Sequence, residues 1–178
     1  SNVASDSAKK NAASVRDSAK ALQEDSLALL SKGKDSVFTK KNVRQDDGTV
    51  KSEYDTDAIY KAVSKFVKDY NSTIESAASS EDSSVLSSTA SMVKATKANS
   101  NLLADVGISI GSDNKLTIDE KAFKSANMTD VKSIFNGTGS YAYGIASSSS
   151  NIYNKSVSQL ANLNGYSYTS TGSYSSYQ

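Results

Sequence analysis

The 178-residue sequence contains neither histidine nor cysteine, so carboxylates, lysines and hydroxyls are the side chains left for chemistry. Its carboxylates come in adjacent pairs, Asp46 with Asp47, Glu81 with Asp82 and Asp119 with Glu120. Acid–base catalysis needs two such groups in environments that push their pKa values apart, commonly one in an apolar pocket. Each pair here sits in a polar turn or at a helix start, where water and capping account for it. Serine is abundant, yet with no histidine only a lysine could activate it, and no flanking motif sets up that arrangement. Ser109 to Glu120 imitates the end of a calcium loop. With Glu120 at loop position twelve, Ser109 falls at one, Gly111 at three and Asn114 at six. The loop needs carboxylates at one and three and glycine at six, so a hairpin followed by a helix cap fits better. The residues therefore predict no catalytic centre, metal, cofactor or small-molecule substrate.

Twenty basic and nineteen acidic residues leave a formal charge of +1, too little to draw nucleic acid or an acidic lipid surface. Lys9-Lys10 and Lys40-Lys41 are short basic pairs offset by nearby acids, and read as solvated faces. Asn71, Asn136 and Asn154 open Asn-x-Ser/Thr triplets, which chance supplies in so Ser/Thr-rich a chain. No run of about 18 apolar residues is present, so no membrane insertion is expected. Proline is absent where average usage of about 5% would give roughly nine. Long uninterrupted helices are thereby permitted, since no residue removes an amide donor or clashes with the preceding turn.

The elements that must carry these residues are mostly helical. Ala8, Ala12, Val15, Ala19, Leu22, Ser26 and Leu29 recur at spacings of 4 and 3, predicting a helix from Ser5 to Ser31. Alanine on that stripe lets another helix approach closely but buries little area, so Ala8, Ala12, Val15, Ala19 and Leu22 are expected to form an assembly seam. Residues 33–54 form a charged connector. Asp47-Gly48 between Val43 and Val50 signals a hairpin with a type I′ turn, though a charged loop would look similar. Ile59, Val63, Phe66, Tyr70, Ile74 and Ala77 mark a second helix, with Asp55, Thr56 and Asp57 as candidate caps. A third is expected over Ser84 to Ala104, with a thin face of Thr89, Thr96 and Asn99 that either packs loosely or takes a partner subunit.

Residues 105–136 read as a hairpin with short helices. Ile108 and Ile110, then Leu116 and Ile118, alternate with polar residues around a turn at Gly111 to Asn114. Thr117 and Glu120 look like a capping box for a short helix through Phe123, and Val131, Ile134 and Phe135 mark another. Tyr141, Ile145, Ser149, Ile152, Ser156, Leu160 and Leu163 mark the last long helix, stopped by Gly165. Residues 166–178 are a low-complexity Tyr/Ser tail. The expected core comprises Ile59, Val63, Phe66, Tyr70, Ile74, Leu103, Ile108, Leu116, Ile118, Phe123, Ile134, Phe135, Ile145, Ile152 and Leu160.

Four segments in order go beyond pattern: Phe66-Val-Lys-Asp-Tyr-Asn71, Leu103-Ala-Asp-Val-Gly-Ile108, Asn114-Lys-Leu-Thr-Ile-Asp-Glu120 and Val131-Lys-Ser-Ile-Phe135. Their succession, over about residues 56–136, resembles the C-terminal leg region of the flagellar filament cap protein, hook-associated protein 2. In that family the pattern runs F-V-x-x-Y-N, L-x-x-x-G-I, a D-G-K-L-T-L-D hairpin, then V-x-x-L-F. The resemblance singles out Phe66, Val67, Tyr70, Asn71, Leu103, Gly107, Ile108, Leu116, Ile118, Asp119, Val131 and Phe135. It implies a secreted bacterial structural protein that assembles at a filament tip and assists flagellin addition. Its partners would be copies of itself or flagellin-like proteins. Two departures stand out. Only residues 34–54 occupy the place of the family's large β-rich head, which makes this a headless relative. Asn114 also stands where the hairpin turn usually has glycine.

The sequence thus predicts a mainly α protein: an elongated antiparallel helical bundle or coiled coil of about four long helices, with a small β-hairpin and short helices at one end. Residues 1–165 would form one leg-like domain. The expected function is structural and non-enzymatic, outside the cell on the flagellum or cell surface. The alternative is a secreted or surface adhesion module that binds through the Tyr/Ser tail.

Overall fold

A computed structural model describes residues 3–168 and 174–176, with side-chain environments for 6–165. The chain is mainly helical, with small antiparallel hairpins. Helix α1 spans Val3–Leu30, α2 Thr56–Ala78 and α7 Tyr141–Leu163. Helix α1 packs against both α2 and α7, and α7 also packs on α3 (Ser83–Ala98). The third helix does not run unbroken to Ala104: α3 stops before Asn99, and α4 covers Ser100–Asp105. Asn99 donates its side-chain amide to the Ala95 carbonyl, a local bond that competes with the backbone ladder where the break occurs.

Carboxylates start several helices. Asp55 accepts from the Ala58 amide at 3.0 Å and Asp82 from Val85 at 2.9 Å, each satisfying a donor that the first turn leaves free. The short helix α5 (Glu120–Ser125) is capped the same way by Asp119, whose carboxylate accepts from Ala122 at 2.8 Å. The expected Thr117–Glu120 capping box is therefore wrong: Thr117 lies in a strand and Glu120 is the first helical residue. Helix α6 (Met128–Phe135) follows, capped by Asn127.

Strands β1 (Lys41–Arg44) and β2 (Val50–Glu53) pair around the Asp47-Gly48 turn, so the connector contains a hairpin. The turn is not type I′, because Gly48 has φ +86° while Asp47 keeps negative φ. Gln45 and Thr49 pair across a three-residue loop closed by the Gly48 amide on the Gln45 carbonyl, the type I turn with a left-handed bulge residue. The hairpin of β3 (Ile108–Ile110) and β4 (Leu116–Ile118) repeats the device, with Asn114 at φ +66° as the bulge residue. In both turns an aspartate, Asp47 or Asp113, accepts the amide two residues on. In the tail, β5 (Tyr166–Tyr168) pairs with β6 (Tyr174–Ser176), and the tail's other residues lie outside the described set.

The second helix's stripe is buried throughout: Ile59, Val63, Phe66, Tyr70, Ile74 and Ala77. Ile118 and Leu160 are corrections, being only half-buried. At the end of α7 the inward positions step through Ile152, Ser156 and Gln159, so a 3-residue step buries Gln159 where a 4-residue step would have buried Leu160. Phe38, Met92, Val106 and Met128 complete a core that the stripes alone did not predict. No helix among the described residues is long and apolar enough to cross a membrane.

Candidate functional site

Helix α2 and the consecutive helices α6 and α7, about 70 residues further on, put aromatic rings into one knot. Phe66 of α2 meets Phe135 of α6 edge-on, at 5.6 Å between centroids and 78° between planes. Tyr141, at the start of α7, meets the same Phe66 at 5.9 Å and 71°. Such edge-to-face contacts set the ring's positive rim against its negative face, adding about 0.5–1.5 kcal/mol per pair to area burial. Tyr70, one turn along α2, donates its hydroxyl to Thr96 at 2.8 Å, and Thr96 also shares a 2.9 Å bond with the Tyr141 hydroxyl. Burial pushes the Tyr70 phenol up to about 12 and Tyr141 well above its ordinary value, so both remain neutral donors and acceptors. The face of α3 expected to pack loosely or take a partner subunit is thus occupied inside the chain, because Thr96 supplies the polar atom that two buried tyrosines need.

Asn71 clasps the second hairpin to α2. Its side-chain Nδ2 donates to the Leu116 carbonyl at 2.8 Å, and its Oδ1 accepts the Leu116 amide at 2.7 Å. The side chain therefore pairs with β4 as another strand would, on an edge that β3 does not use. Ile108 and Leu116 turn inward from the hairpin, beside Leu103 of α4.

Between α4 and β3, Gly107 adopts φ +82°. A Cβ there would lie 2.9 Å from the Phe123 amide nitrogen and 3.0 Å from the Ala122 Cβ. The Gly107 carbonyl accepts the Asp119 amide at 2.9 Å, so this residue joins helix end, hairpin and the start of α5. Val67, Val131 and Phe135 are buried in the hydrophobic core. Of the residues singled out by resemblance, Asn71, Gly107 and Ile118 are half-buried and Asp119 is exposed, capping α5 with its carboxylate and donating its amide to Gly107. Asn136 was not singled out, yet its amide donates to the Leu29 and Ser31 carbonyls and ties off the end of α1.

The proposed seam on α1 needs a correction. Ala12, Val15, Ala19 and Leu22 are fully buried, and Ala8 is half-buried. Their small side chains admit α2 and α7 of the same chain, which leaves this stripe no free face for another subunit. Exposed apolar side chains lie elsewhere: Leu27 (51%) and Tyr143 (50%) flank a groove of about 330 Å³ between α1 and α7, also lined by Leu30 and Ala146.

None of the paired carboxylates lines that groove. Asp47 is bonded to the Thr49 hydroxyl and amide, which hold its pKa below the usual value, and Glu120 pairs with Lys124 at 2.9 Å. Gly111 and Asn114 belong to a hairpin turn rather than a calcium loop. Among the described residues no group of three or more acidic, histidine or cysteine side chains could hold a metal ion. One ionic cluster escaped the sequence reading. Asp25 of α1 is buried between helices, and Lys65 of α2 reaches its Oδ1 at 2.6 Å and the Asp69 carboxylate at 3.5 Å.

No family model, curated protein or solved structure matches this chain.

Proposed function

We propose that this chain is a non-enzymatic structural protein, a headless counterpart of the flagellar filament cap's leg region, acting outside the bacterial cell through helix–helix contacts. Its four principal helical segments would work as an elongated antiparallel bundle of coiled-coil character. What supports the reading is the joint itself: Phe66, Tyr70, Asn71, Leu103, Gly107, Leu116, Asp119 and Phe135 come from four separate sequence segments and meet in one unit. With the α1 seam spent inside the chain, contacts to further copies or to flagellin-like subunits fall to exposed apolar side chains such as Leu27 and Tyr143. The test is to add the purified protein to growing flagellin filaments and view them by electron microscopy. Binding confined to filament ends, with altered elongation, supports the proposal. Uniform decoration of filament sides, or no binding at any concentration, overturns it.

The antiparallel pairing of β5 with β6 favours a second reading, in which the Tyr/Ser tail serves as an adhesive tip. Removal of residues 166–178 should then abolish attachment to cells or carbohydrate while the helices still fold. Attachment that survives the deletion rules this reading out.

A further inference from the structure

The Asp25 cluster lies where α1 packs on α2, and nothing in the proposed function uses it. The Asp25 side chain is 5% exposed, whereas Lys65 is 65% exposed and Asp69 17%. Its Oδ1 accepts from Lys65, but its Oδ2 is buried without a hydrogen-bond partner among the described residues. An unpartnered buried carboxylate oxygen is costly, and one solvated lysine cannot neutralise two adjacent carboxylates. A proton shared between Asp25 and Asp69 would remove both problems, supplying the missing donor and cancelling the surplus charge.

We propose that Asp25, Asp69 and Lys65 form a proton-held latch between α1 and α2, closed while the two carboxylates share a proton and loosened when it leaves. From α2 the charged groups facing Asp25 are Lys65 and Asp69. Helix α7 carries one charged residue, Lys155, and α6 carries Asp130 and Lys132, all exposed and none acting on Asp25. Glu24, beside Asp25 on α1, points to solvent. Burial first, then the Asp69 carboxylate, push Asp25 up to about 7, against the opposing pull of Lys65. An unfolded aspartate titrates near 3.8. Between these values the folded chain keeps a proton that the unfolded chain has lost. Stability conferred by the latch is therefore full on the acid side, falls as pH rises towards 7, and levels off above it.

The experiment measures urea unfolding of the whole protein at pH 5 and pH 8, alongside Asp25→Asn, which keeps the shape and is always neutral. The wild-type unfolding constant should rise roughly 10- to 100-fold between the two pH values, and Asp25→Asn should remove most of that rise. Hydrogen exchange, corrected for intrinsic pH dependence, should show the loss centred on the facing turns of α1 and α2. If the variant fails to fold, carbon-13 NMR titration of the wild-type Asp25 carboxyl decides the matter. A midpoint above 6 that falls in Asp69→Asn supports the latch. A midpoint below 5, or a wild-type unfolding constant that changes less than threefold, overturns it.

Discussion

Replacing Gly107 by alanine puts the joint between α4, the second hairpin and α5 under direct stress. Two costs add. The φ of +82° is a left-handed conformation that costs an L-residue about 1–2 kcal/mol. The new Cβ would also lie 2.9 Å from the Phe123 amide nitrogen, a backbone atom fixed in the first turn of α5. Relieving that overlap requires α5 to shift from the hairpin, a strain of about 1–2 kcal/mol by analogy with overpacked cores. Together they predict a loss of about 2–4 kcal/mol, or roughly 5–15 °C in Tm for a chain of this size. Gly139 is the matched control, since its φ is +85° and a Cβ there would touch nothing within 4 Å. Gly139→Ala should cost only the backbone share, about 1–2 kcal/mol. Urea and thermal unfolding followed by circular dichroism would measure both. Equal losses in the two variants would refute the claim that close backbone approach, rather than conformation alone, requires glycine at 107.

Other substitutions probe the remaining contacts. Asn71→Ala removes both bonds to Leu116 and should cost about 2–3 kcal/mol in urea unfolding, with Asn71→Asp, which keeps the acceptor, in between. Thr96→Val strands two buried tyrosine hydroxyls and should cost about 2–4 kcal/mol, whereas Tyr70→Phe, which leaves Thr96 bonded to Tyr141, should cost about 0.5–1.5 kcal/mol. Ala19→Lys should cost at least about 4 kcal/mol by forcing an unpaired charge into a fully buried seam, while Leu27→Lys on the surface stays within about 0.5 kcal/mol. In absorbance titrations Tyr70 should resist ionisation until about pH 12. Between pH 10 and 12 the folded chain keeps that proton while the unfolded chain loses it, so stability falls as pH rises through the window.

Large apolar residues at helical spacing made α2 readable, because each of Ile59, Val63, Phe66, Tyr70 and Ile74 must be buried somewhere and they share one face. The alanine stripe of α1 was equally legible as a face, yet a face does not state what covers it. Small residues accept a helix of the same chain or of another, and here α2 and α7 take the place assigned to a partner. Both central hairpins were visible in their turn residues, but the turn type depends on strand register, which Asp47-Gly48 alone does not determine. Periodicity failed at the end of α7 because steps of 3 and 4 are equally helical, and the choice between Gln159 and Leu160 is made by neighbouring helices. Long-range polar contacts were the least legible. Neither the Asp25 cluster nor the bonding of Thr96 to two tyrosines leaves a local signal, since the partners of each lie 26 to 45 residues away.

Where the protein sits on the intact cell is the most direct measure of whether it is a filament-tip component. Immunogold electron microscopy with antibody to the folded chain reads this on cells that carry their flagella. Gold particles concentrated at the distal ends of filaments are the predicted result. Label spread over the cell envelope, or confined to the cell interior, would contradict the account.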